Sequence, residues 1–265
     1  MRRGTVRSVL PGRHGPLPAV RQAVILAGGI GRRLRPLTYS RPKPMVEVRG
    51  TPILQHQIDW FAEHGVEYVV VSAGYKAEVI TAHLGSRRQP LHTQVVVEER
   101  PLGRGGGLNK AAGALPWPSE PWFALYGDIW TSFCLSCMVN HHRRQDGLAT
   151  VALARPRAGA GTAVCDAVGR VITLNLAEPL AGRVNAGLYL FEPSVTGLLP
   201  KEGDHQTSTL AHLISTRNLV GYPVDEPWTA VNTPQDLDEA ARTPHRATYV
   251  RELPSDEGRR SRTVT

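Results

Sequence analysis

The sequence predicts an α/β protein with a mostly parallel central sheet flanked by helices. Short β-branched runs alternate with longer amphipathic stretches from Gln22 onward, as expected of βα units. The second half of the chain is richer in strand-like runs, and neither an internal repeat nor a low-complexity linker divides the sequence. We therefore predict one domain over residues 21–242, between a disordered basic tail at 1–20 and a disordered tail at 243–265.

The individual elements follow from this alternation. Two stretches have helical spacing and end on a glycine, which is favoured at helix C-termini: PILQHQIDWFAEHG at 52–65 and KAEVITAHLG at 76–85. The predicted strands are AVILA at 23–27, YVVVSA at 68–73, QVVVEE at 94–99, WFALYGD at 122–128, ATVALA at 149–154, RVITLNL at 170–176 and AGLYLF at 186–191.

Composition favours an ordinary globular protein. The chain has 265 residues, of which 41% are hydrophobic and 20% charged, enough for a sizeable core. No apolar run approaches the ~20 residues that cross a bilayer. The basic N-terminal stretch is interrupted by Gly and Pro before an apolar signal segment forms. We therefore expect a cytoplasmic protein without a membrane partner.

The net charge of +8 is concentrated at the two ends. Residues 1–20 carry +4 and residues 243–265 carry +2, so the body of the chain is only +2. A basic tail can bind phosphate, although a solvated disordered end is the simpler interpretation. With 6% aromatic residues and a weakly charged body, a nucleic-acid partner is not expected.

The three cysteines do not form a disulfide framework. Cys134 and Cys137 make a C-x-x-C, and Cys165 stands apart. Zinc is not indicated, because no second C-x-x-C or spaced histidine pair supplies the remaining ligands. A redox motif is possible, but the stretch TSFCLSCMVNHH is predicted to form the apolar face of a helix.

The first predicted strand runs directly into the glycine-rich stretch AGGIGRRLRPLT. Such a turn places backbone N–H groups at the carboxyl edge of a parallel sheet, where anionic ligands bind. Two familiar glycine motifs are absent: Leu34 stands where the dinucleotide pattern needs glycine, and no Gly-Lys-Ser/Thr follows the turn. We predict a phosphate-binding turn of another kind.

Two cations accompany the turn. Arg33 and Lys43 lie ten residues apart, and the prolines on either side of Lys43 restrict the backbone around it. A planar guanidinium fork and a compact ammonium suit a triphosphate that is being cleaved. The alternative is a surface loop whose cations are simply solvated.

These motifs resemble the sugar-1-phosphate nucleotidyltransferases, also called NDP-sugar pyrophosphorylases. The resemblance covers most of residues 23–240 and implies a Rossmann-like nucleotidyltransferase fold with a smaller, strand-rich sugar-binding lobe. The matching segments, in chain order, are GGIGRRLRPLT with PKP, VRGTPILQHQIDWFAEHGVEYVVVSAGY, the glycine loop PLGRGGGLNKAAG, the turn YGD, VNAGLYLF and WTAVNTPQDLDEA.

The resemblance implies how the phosphates are held. Arg33 would contact the β- and γ-phosphates, and Lys43 would bridge the α-phosphate and the sugar phosphate. The sugar phosphate would attack the α-phosphorus in line and expel pyrophosphate, without a general base because the nucleophile is already an anion. The nucleotide-binding residues would be Ala27, Gly28, Gly29, Gly31, Arg32, Arg33, Glu98 and Gly103.

A magnesium site is implied by Asp128, which follows an apolar strand and Gly127. A carboxylate beside phosphates suits Mg²⁺, although a lone Asp in this position can instead cap a helix. Ala230 stands where the family usually has a second metal-binding Asp. Asn232, two residues on, could offer a neutral oxygen in its place.

The resemblance places Glu98, with Glu99 as the adjacent possibility, in the segment that contacts the nucleobase in this family. A carboxylate accepts from N1 and N2 of guanine, which uracil and thymine lack, so GTP is favoured. The alternative is that both glutamates simply leave the strand into solvent.

The sugar side departs from the family pattern. Asn185 and Gly187 suit contact with sugar hydroxyls and close backbone approach. Glu178 replaces a lysine that would meet the sugar phosphate, which leaves an unusual acceptor, such as a heptose or cyclitol phosphate, or another cation such as Arg183.

The predicted partners are therefore an NTP and a sugar 1-phosphate, with homo-oligomerisation possible. A catalytically weak or inactive paralogue that regulates a partner subunit is the alternative, but it should have lost the phosphate cations. Arg33, Lys43 and Asp128 all remain.

Overall fold

A computed structural model describes residues 20–155, 162–175 and 182–243. The predicted tails at 1–20 and 243–265 lie outside these residues, apart from Val20 and Thr243. The strands are β1 Gln22–Ala27, β2 Glu47–Val48, β3 Thr51–Pro52, β4 Tyr68–Ala73, β5 His92–Val97, β6 Trp122–Tyr126, β7 Ile129–Thr131, β8 Ala149–Ala154, β9 Thr162–Cys165, β10 Val171–Asn175, β11 Val184–Phe191, β12 Leu219–Val224 and β13 Trp228–Ala230. The helices are α1 Ile53–Glu63, α2 Ala77–Gly85, α3 Gly103–Ala112, α4 Leu135–Arg144, α5 Ala211–Ser215 and α6 Pro234–Arg242.

The central sheet has seven strands in the order β12-β8-β11-β6-β1-β4-β5. Strands β6, β1, β4 and β5 are parallel neighbours, and β12 is parallel to β8. Strand β11 pairs antiparallel with β6 on one side and with β8 on the other. The predicted α/β class with a mostly parallel sheet is confirmed.

Both faces of the sheet are covered, which explains why its strands read as continuous apolar runs. In β1, Ala23, Ile25 and Ala27 point into one hydrophobic cluster, whereas Val24 points into the other. The first cluster, face A, also contains residues of α1, α2 and α4, and the second, face B, contains residues of α3 and α5. The period of two along each strand thus supplies side chains to both layers.

The parallel strands bring several predicted residues to one edge. Strands β1, β4, β5 and β6 end at Ala27, Ala73, Val97 and Tyr126. Because parallel neighbours share a direction, the segments that follow them meet at the same carboxyl edge. The glycine turn, Glu98 and Asp128 therefore converge there, although their sequence positions span about 100 residues.

The glycine-rich segment PLGRGGGLNKAAG was predicted as a loop, and this prediction is wrong. Residues 103–112 form helix α3, and its glycines admit the segment 200–205 against the helix surface. A Cβ at Gly106 would lie 2.6 Å from the Lys201 carbonyl oxygen, and one at Gly105 would lie 2.7 Å from the His205 nitrogen. Close backbone approach of this segment accounts for Gly103, Gly105 and Gly106.

Smaller differences concern element ends and the strands outside the predicted set, which are β2, β3, β7, β9, β12 and β13. Helix α1 ends at Glu63, with Gly65 at φ +82 two residues later, and Gly85 is the last residue of α2. Strand β12 was not predicted, because its apolar run is short and contains Gly and Pro. The helix predicted around Cys134 and Cys137 is confirmed as α4, and the structure also joins these two cysteines in a disulfide.

Within the described residues, none of the helices combines the length and the apolar character needed to cross a bilayer.

Candidate active site

A cavity of about 760 Å³ opens at the carboxyl edge of the sheet. Its walls come from the glycine turn after β1, the segment around Lys43, the end of β5, the first turn of α3 and the end of β6. The predicted residues that line it are Gly28, Gly29, Gly31, Arg32, Arg33, Lys43, Glu98, Gly103, Asp128 and Asn232. Ala27 is the last residue of β1, directly before the turn, and is fully buried.

The glycine turn packs tightly against the Lys43 side chain. Gly31 has φ +67, and a Cβ there would lie 3.0 Å from Lys43 Cβ and 3.1 Å from Thr38 Cγ2. The Thr38 hydroxyl donates to the Gly31 carbonyl oxygen at 2.9 Å. A side chain at position 31 would therefore strain the backbone and displace the lysine stem.

Four predicted residues form one hydrogen-bonded network in the cavity. The Lys43 ammonium donates to Asp128 Oδ2 at 2.5 Å and to Asn232 Oδ1 at 2.7 Å. Arg33 Nη2 donates to the same Asn232 oxygen at 2.8 Å. The side chains of Lys43 and Asp128 are only 12% and 23% exposed, so their charges interact more strongly than a surface pair would.

Each member of this network is held by a separate element. Lys43 begins a short 3-10 turn between Pro42 and buried Met45. Asp128 follows Gly127, whose N–H donates to the Leu26 carbonyl. The Asp128 backbone carbonyl accepts from the Val231 N–H at 2.8 Å.

Asn232 precedes α6, where Thr233 and Asp236 form a capping box. Asp236 also accepts from the Asn232 backbone N–H at 2.9 Å, and the Asn232 amide nitrogen donates to the Ala230 carbonyl at 3.2 Å. These contacts leave Asn232 Oδ1 directed at the two cations. Ala230 itself pairs with Ile129 between β13 and β7 and is not a lining residue of the cavity.

The donor set fits a magnesium ion. Among the described residues there is no group of three or more His, Cys, Asp or Glu that could hold a metal. Asp128 and Asn232 nevertheless offer a carboxylate and an amide oxygen on the same wall of the cavity. Mg²⁺ prefers hard oxygen ligands, keeps several waters and takes only one or two carboxylates beside phosphates.

Glu98 lies in the cavity wall but is tied to the protein by both oxygens. Oε1 accepts from the Ser72 hydroxyl at 3.0 Å, and Oε2 accepts from the Leu102 N–H at 3.0 Å. A Cβ at Gly107 would lie 2.7 Å from Oε1, so this glycine makes room for the carboxylate. Each carboxylate oxygen can accept a second hydrogen bond, which leaves Glu98 able to bind a donor in the cavity. Glu99 is exposed and also lines the cavity.

The predicted sugar residues are not among those that line the cavity. Asn185 donates to the Tyr189 hydroxyl at 2.6 Å and accepts from the Gly187 N–H at 2.9 Å, across an irregularity in the pairing of β11. Arg183 binds the carbonyls of Leu153 and Val224 and the carboxylate of Asp225. Glu178 lies outside the described residues.

Sequence reasoning missed a polar cluster beside the cavity. The Tyr126 hydroxyl lies 2.9 Å from the Tyr189 hydroxyl, 3.1 Å from His205 Nε2 and 2.9 Å from Gln206 Nε2. Arg104, in the first turn of α3, lies over the Tyr126 ring. No local pattern marks this cluster, because it depends on the packing of residues 200–206 against the glycines of α3.

Buried His205 should make stability depend on pH. Burial lowers the pKa of His205 to about 4 from its ordinary 6.5, although Asp204 opposes the change. The unfolded chain binds this proton more readily than the folded protein does. The contribution of His205 to the free energy of unfolding is therefore complete above pH 6.5, and roughly 3 kcal/mol of it is lost as the pH falls towards 4. We expect His205→Gln, which keeps a polar partner for Tyr126 but cannot be protonated, to flatten the curve of unfolding free energy against pH.

Urea unfolding between pH 4 and 7.5 measures this difference. Other histidines with lowered pKa values, such as His56 and His141, contribute equally to both proteins. Parallel curves for the wild type and His205→Gln would contradict the prediction.

Comparison with known proteins identifies a match over most of the chain. The family described as nucleotidyl transferase matches residues 22–246. The mannose-1-phosphate guanylyltransferase of Mycobacterium tuberculosis is 34% identical over 225 residues, which cover 81% of this chain and 62% of that protein. The mannose-1-phosphate guanyltransferase of Saccharomyces cerevisiae is 30% identical over 225 residues, which cover 82% of this chain and 62% of that protein. The chain thus spans about three fifths of the length of these relatives.

Solved structures agree on the fold. HddC from Yersinia pseudotuberculosis, complexed with GMP-PN, has a TM-score of 0.70 at 19% identity and covers 84% of this chain and 98% of its own. A UDP-glucose pyrophosphorylase complexed with UDP-glucose has a TM-score of 0.69 at 14% identity, and the match covers 84% of this chain and 97% of that one.

Proposed function

Because the chain belongs to the nucleotidyl transferase family, we propose that it transfers a nucleoside monophosphate from an NTP, in first place GTP, to a sugar 1-phosphate and releases pyrophosphate. The observation that carries this proposal is the network of Arg33, Lys43, Asp128 and Asn232 beside the glycine turn. It gathers two cations and a carboxylate in a cavity large enough for two substrates.

The reaction is an in-line displacement at the α-phosphorus. An oxygen of the sugar phosphate forms a new bond to this phosphorus while the bond to the bridging oxygen of the β-phosphate breaks, and pyrophosphate leaves. The backbone after Ala27, with Gly28, Gly29 and Gly31, receives the triphosphate, and Arg32 and Arg33 neutralise its outer phosphates. Lys43 neutralises the oxygens at the reacting centre. Catalysis then consists of positioning and charge neutralisation.

We propose that Asp128 and Asn232 hold the magnesium ion, which when bound neutralises phosphate charge. In the free protein their oxygens accept from Lys43 and Arg33. These hydrogen bonds keep the cations in place before substrate arrives, and both cations can then turn to the phosphates. The network thus holds both cations beside the glycine turn, within reach of an anionic ligand.

Guanine is the proposed base. Both curated relatives described above are named guanylyl- or guanyltransferases, and one structural neighbour is a GMP-PN complex. Glu98 supports this choice, because its carboxylate lines the cavity and keeps lone pairs for the N1 and N2 donors of guanine.

Glu98→Gln should reduce the preference for GTP. The amide retains the shape but offers one acceptor in place of two, so we expect kcat/KM for GTP to fall on the order of 10-fold or more, as for loss of a charge-assisted hydrogen bond. ITP, which lacks the N2 amino group, is the matched control substrate. Its kcat/KM should fall less than that of GTP in the variant. Equal losses with GTP and ITP would assign Glu98 to holding Leu102 and Ser72 alone.

The proposed acceptor is a sugar 1-phosphate, with mannose 1-phosphate first because of the relatives' names. A heptose or cyclitol phosphate stays a finer proposal. Asn185 and Gly187 do not line the cavity. Their proposed effect on the acceptor is therefore indirect, because Asn185 donates to the Tyr189 hydroxyl, which in turn contacts the hydroxyl of Tyr126 in the cavity wall. Glu178 is retained as a sugar-side residue from the sequence alone. We place the reaction in the cytoplasm, where NTPs are supplied.

Pyrophosphate release tests the proposal. The wild type is assayed with Mg²⁺ and each common NTP against mannose, other hexose, heptose and cyclitol 1-phosphates. We expect release that requires both substrates and is fastest with GTP. Nucleotide binding without release from any pair would instead favour the regulatory paralogue, and GTP as the poorest nucleotide would overturn the choice of base.

A further inference from the structure

The cavity receives positive charge from both faces of the sheet. Lys43 approaches from face A, where the neighbouring Met45 is part of the core. Arg104 approaches from face B, because α3 packs there through Leu108 and Ala111. Tyr126 contacts both clusters and lies between the two approaches, at the end of β6.

Arg104 is fixed by three groups and still has a donor to offer. Its guanidinium donates to Asp204 through Nε, at 3.0 Å, and through Nη2, which also reaches Gln206 Oε1 at 3.1 Å. Its Cζ lies 5.5 Å from the centre of the Tyr126 ring. Among the described residues, Nη1 has no hydrogen-bond partner, and Arg104 lines the cavity. The fork is therefore held in place with one nitrogen available.

Two anionic substrates must meet in this cavity if the proposed function is right. The glycine turn and Arg33 lie on one wall and receive the triphosphate, and Lys43 neutralises oxygens at the reacting centre between the two substrates. The incoming sugar phosphate brings a second cluster of negative charge, which a cation on another wall would neutralise. Arg183 does not serve here, because it does not line the cavity and its Nη1 and Nη2 bind two carbonyl groups and Asp225.

We propose that Arg104 binds the phosphate of the sugar 1-phosphate, and that Asp204 and Gln206 position its guanidinium for that contact. This inference rests on the proposed function and adds a residue specific for the acceptor substrate. Only one guanidinium edge is used by Asp204, so the Nη1 edge can donate to a phosphate oxygen while the ion pair persists.

Steady-state kinetics of Arg104→Gln test the inference. Loss of a hydrogen bond between charged groups should raise KM for the sugar 1-phosphate by roughly 10- to 100-fold. KM for GTP should rise less than KM for the sugar 1-phosphate, since the triphosphate lies on the other wall and Glu98, rather than Arg104, is the proposed contact of the base. Arg104→Lys should restore part of the affinity, because it keeps the charge but loses the planar fork.

Glu202→Gln is the matched control. It breaks the neighbouring ion pair with Arg100, which joins the same two segments as the pair of Arg104 and Asp204. If Arg104 only held these segments together, the two variants would raise KM for the sugar phosphate alike. We expect Glu202→Gln to leave it unchanged, and thermal unfolding checks that Arg104→Gln is folded.

The outcomes separate the two proposals. Transfer by the wild type together with an unchanged sugar-phosphate KM in Arg104→Gln would overturn the role of Arg104 and leave the proposed function standing. A wild type that neither transfers to nor binds any sugar 1-phosphate, by calorimetry in the presence of GTP, would overturn both.

Discussion

Replacing Lys43 by alanine should lower the rate of nucleotidyl transfer by roughly 10³-fold or more, because one cation at a phosphoryl transfer centre can contribute that much. Lys43 is the only residue of the described network that contacts both Asp128 and Asn232. Its loss removes the ammonium from the reacting phosphates and leaves the half-buried Asp128 carboxylate without its partner. Pyrophosphate release under saturating substrates measures the effect.

Lys201→Ala is the control for Lys43→Ala. Lys201 is exposed and does not line the cavity, so its removal tests for a general effect of lost positive charge. We expect its rate to match the wild type. A rate for Lys43→Ala within tenfold of the wild type, in a folded protein, would remove Lys43 from the chemistry.

Asp128→Asn should reduce kcat/KM on the order of 10²-fold, as expected when a group that stabilises phosphate charge is lost. The amide has nearly the same shape, so the Val231 hydrogen bond to the residue 128 carbonyl is kept and the local fold persists. Two things change: the proposed magnesium site loses its carboxylate, and Lys43 loses its counter-charge. Titration with Mg²⁺ at fixed substrate measures both the maximal rate and the half-saturating concentration.

The two losses give different titrations. If Asp128 holds the metal, the half-saturating Mg²⁺ concentration rises in Asp128→Asn and excess metal recovers part of the rate. If Asp128 only orients Lys43, the maximal rate falls and the metal dependence stays as in the wild type. An unchanged rate and an unchanged titration would contradict both roles.

The residues that converge at the sheet edge could be predicted from sequence. The glycine turn and Asp128 follow β1 and β6, and parallel strands bring their carboxyl ends together. Lys43 reaches the same edge by packing against Gly31 of the turn. Asn232 was predicted as a substitute ligand, and it lies within hydrogen-bond distance of Arg33, 199 positions away in the chain. Patterns in the sequence were sufficient here, because the order of the parallel strands brings these distant segments to the same edge of the sheet.

Other features depend on tertiary packing and could not be predicted. The glycines of α3 were predicted as a loop, but they lie in a helix and admit the close approach of residues 200–205. Arg104 and His205 acquire their surroundings only through that contact. The contacts of Asn185 with the Tyr189 hydroxyl and the Gly187 N–H likewise lie across an irregularity in β11 pairing that no local pattern indicates.

Under the proposed function, two anions share one cavity, and the arrangement of charge is suited to this. Cations enter from both faces of the sheet, and each is held by an oxygen acceptor before substrate binds. Preorganised charges need little rearrangement when phosphates arrive, which is how an enzyme stabilises a transition state better than water does. The same arrangement predicts that removing Arg104 affects the sugar phosphate more than the triphosphate.

The first measurement to make is transfer of label from GTP labelled at the α-phosphate into a sugar-linked product, with wild type, Lys43→Ala and Arg104→Gln compared at limiting sugar 1-phosphate. We predict labelled product that requires the sugar phosphate and is nearly absent with Lys43→Ala. With Arg104→Gln, we predict that a higher sugar phosphate concentration restores it. Label that never leaves GTP in the presence of any sugar 1-phosphate, in a protein that binds GTP, would contradict the assignment of this cavity to nucleotidyl transfer.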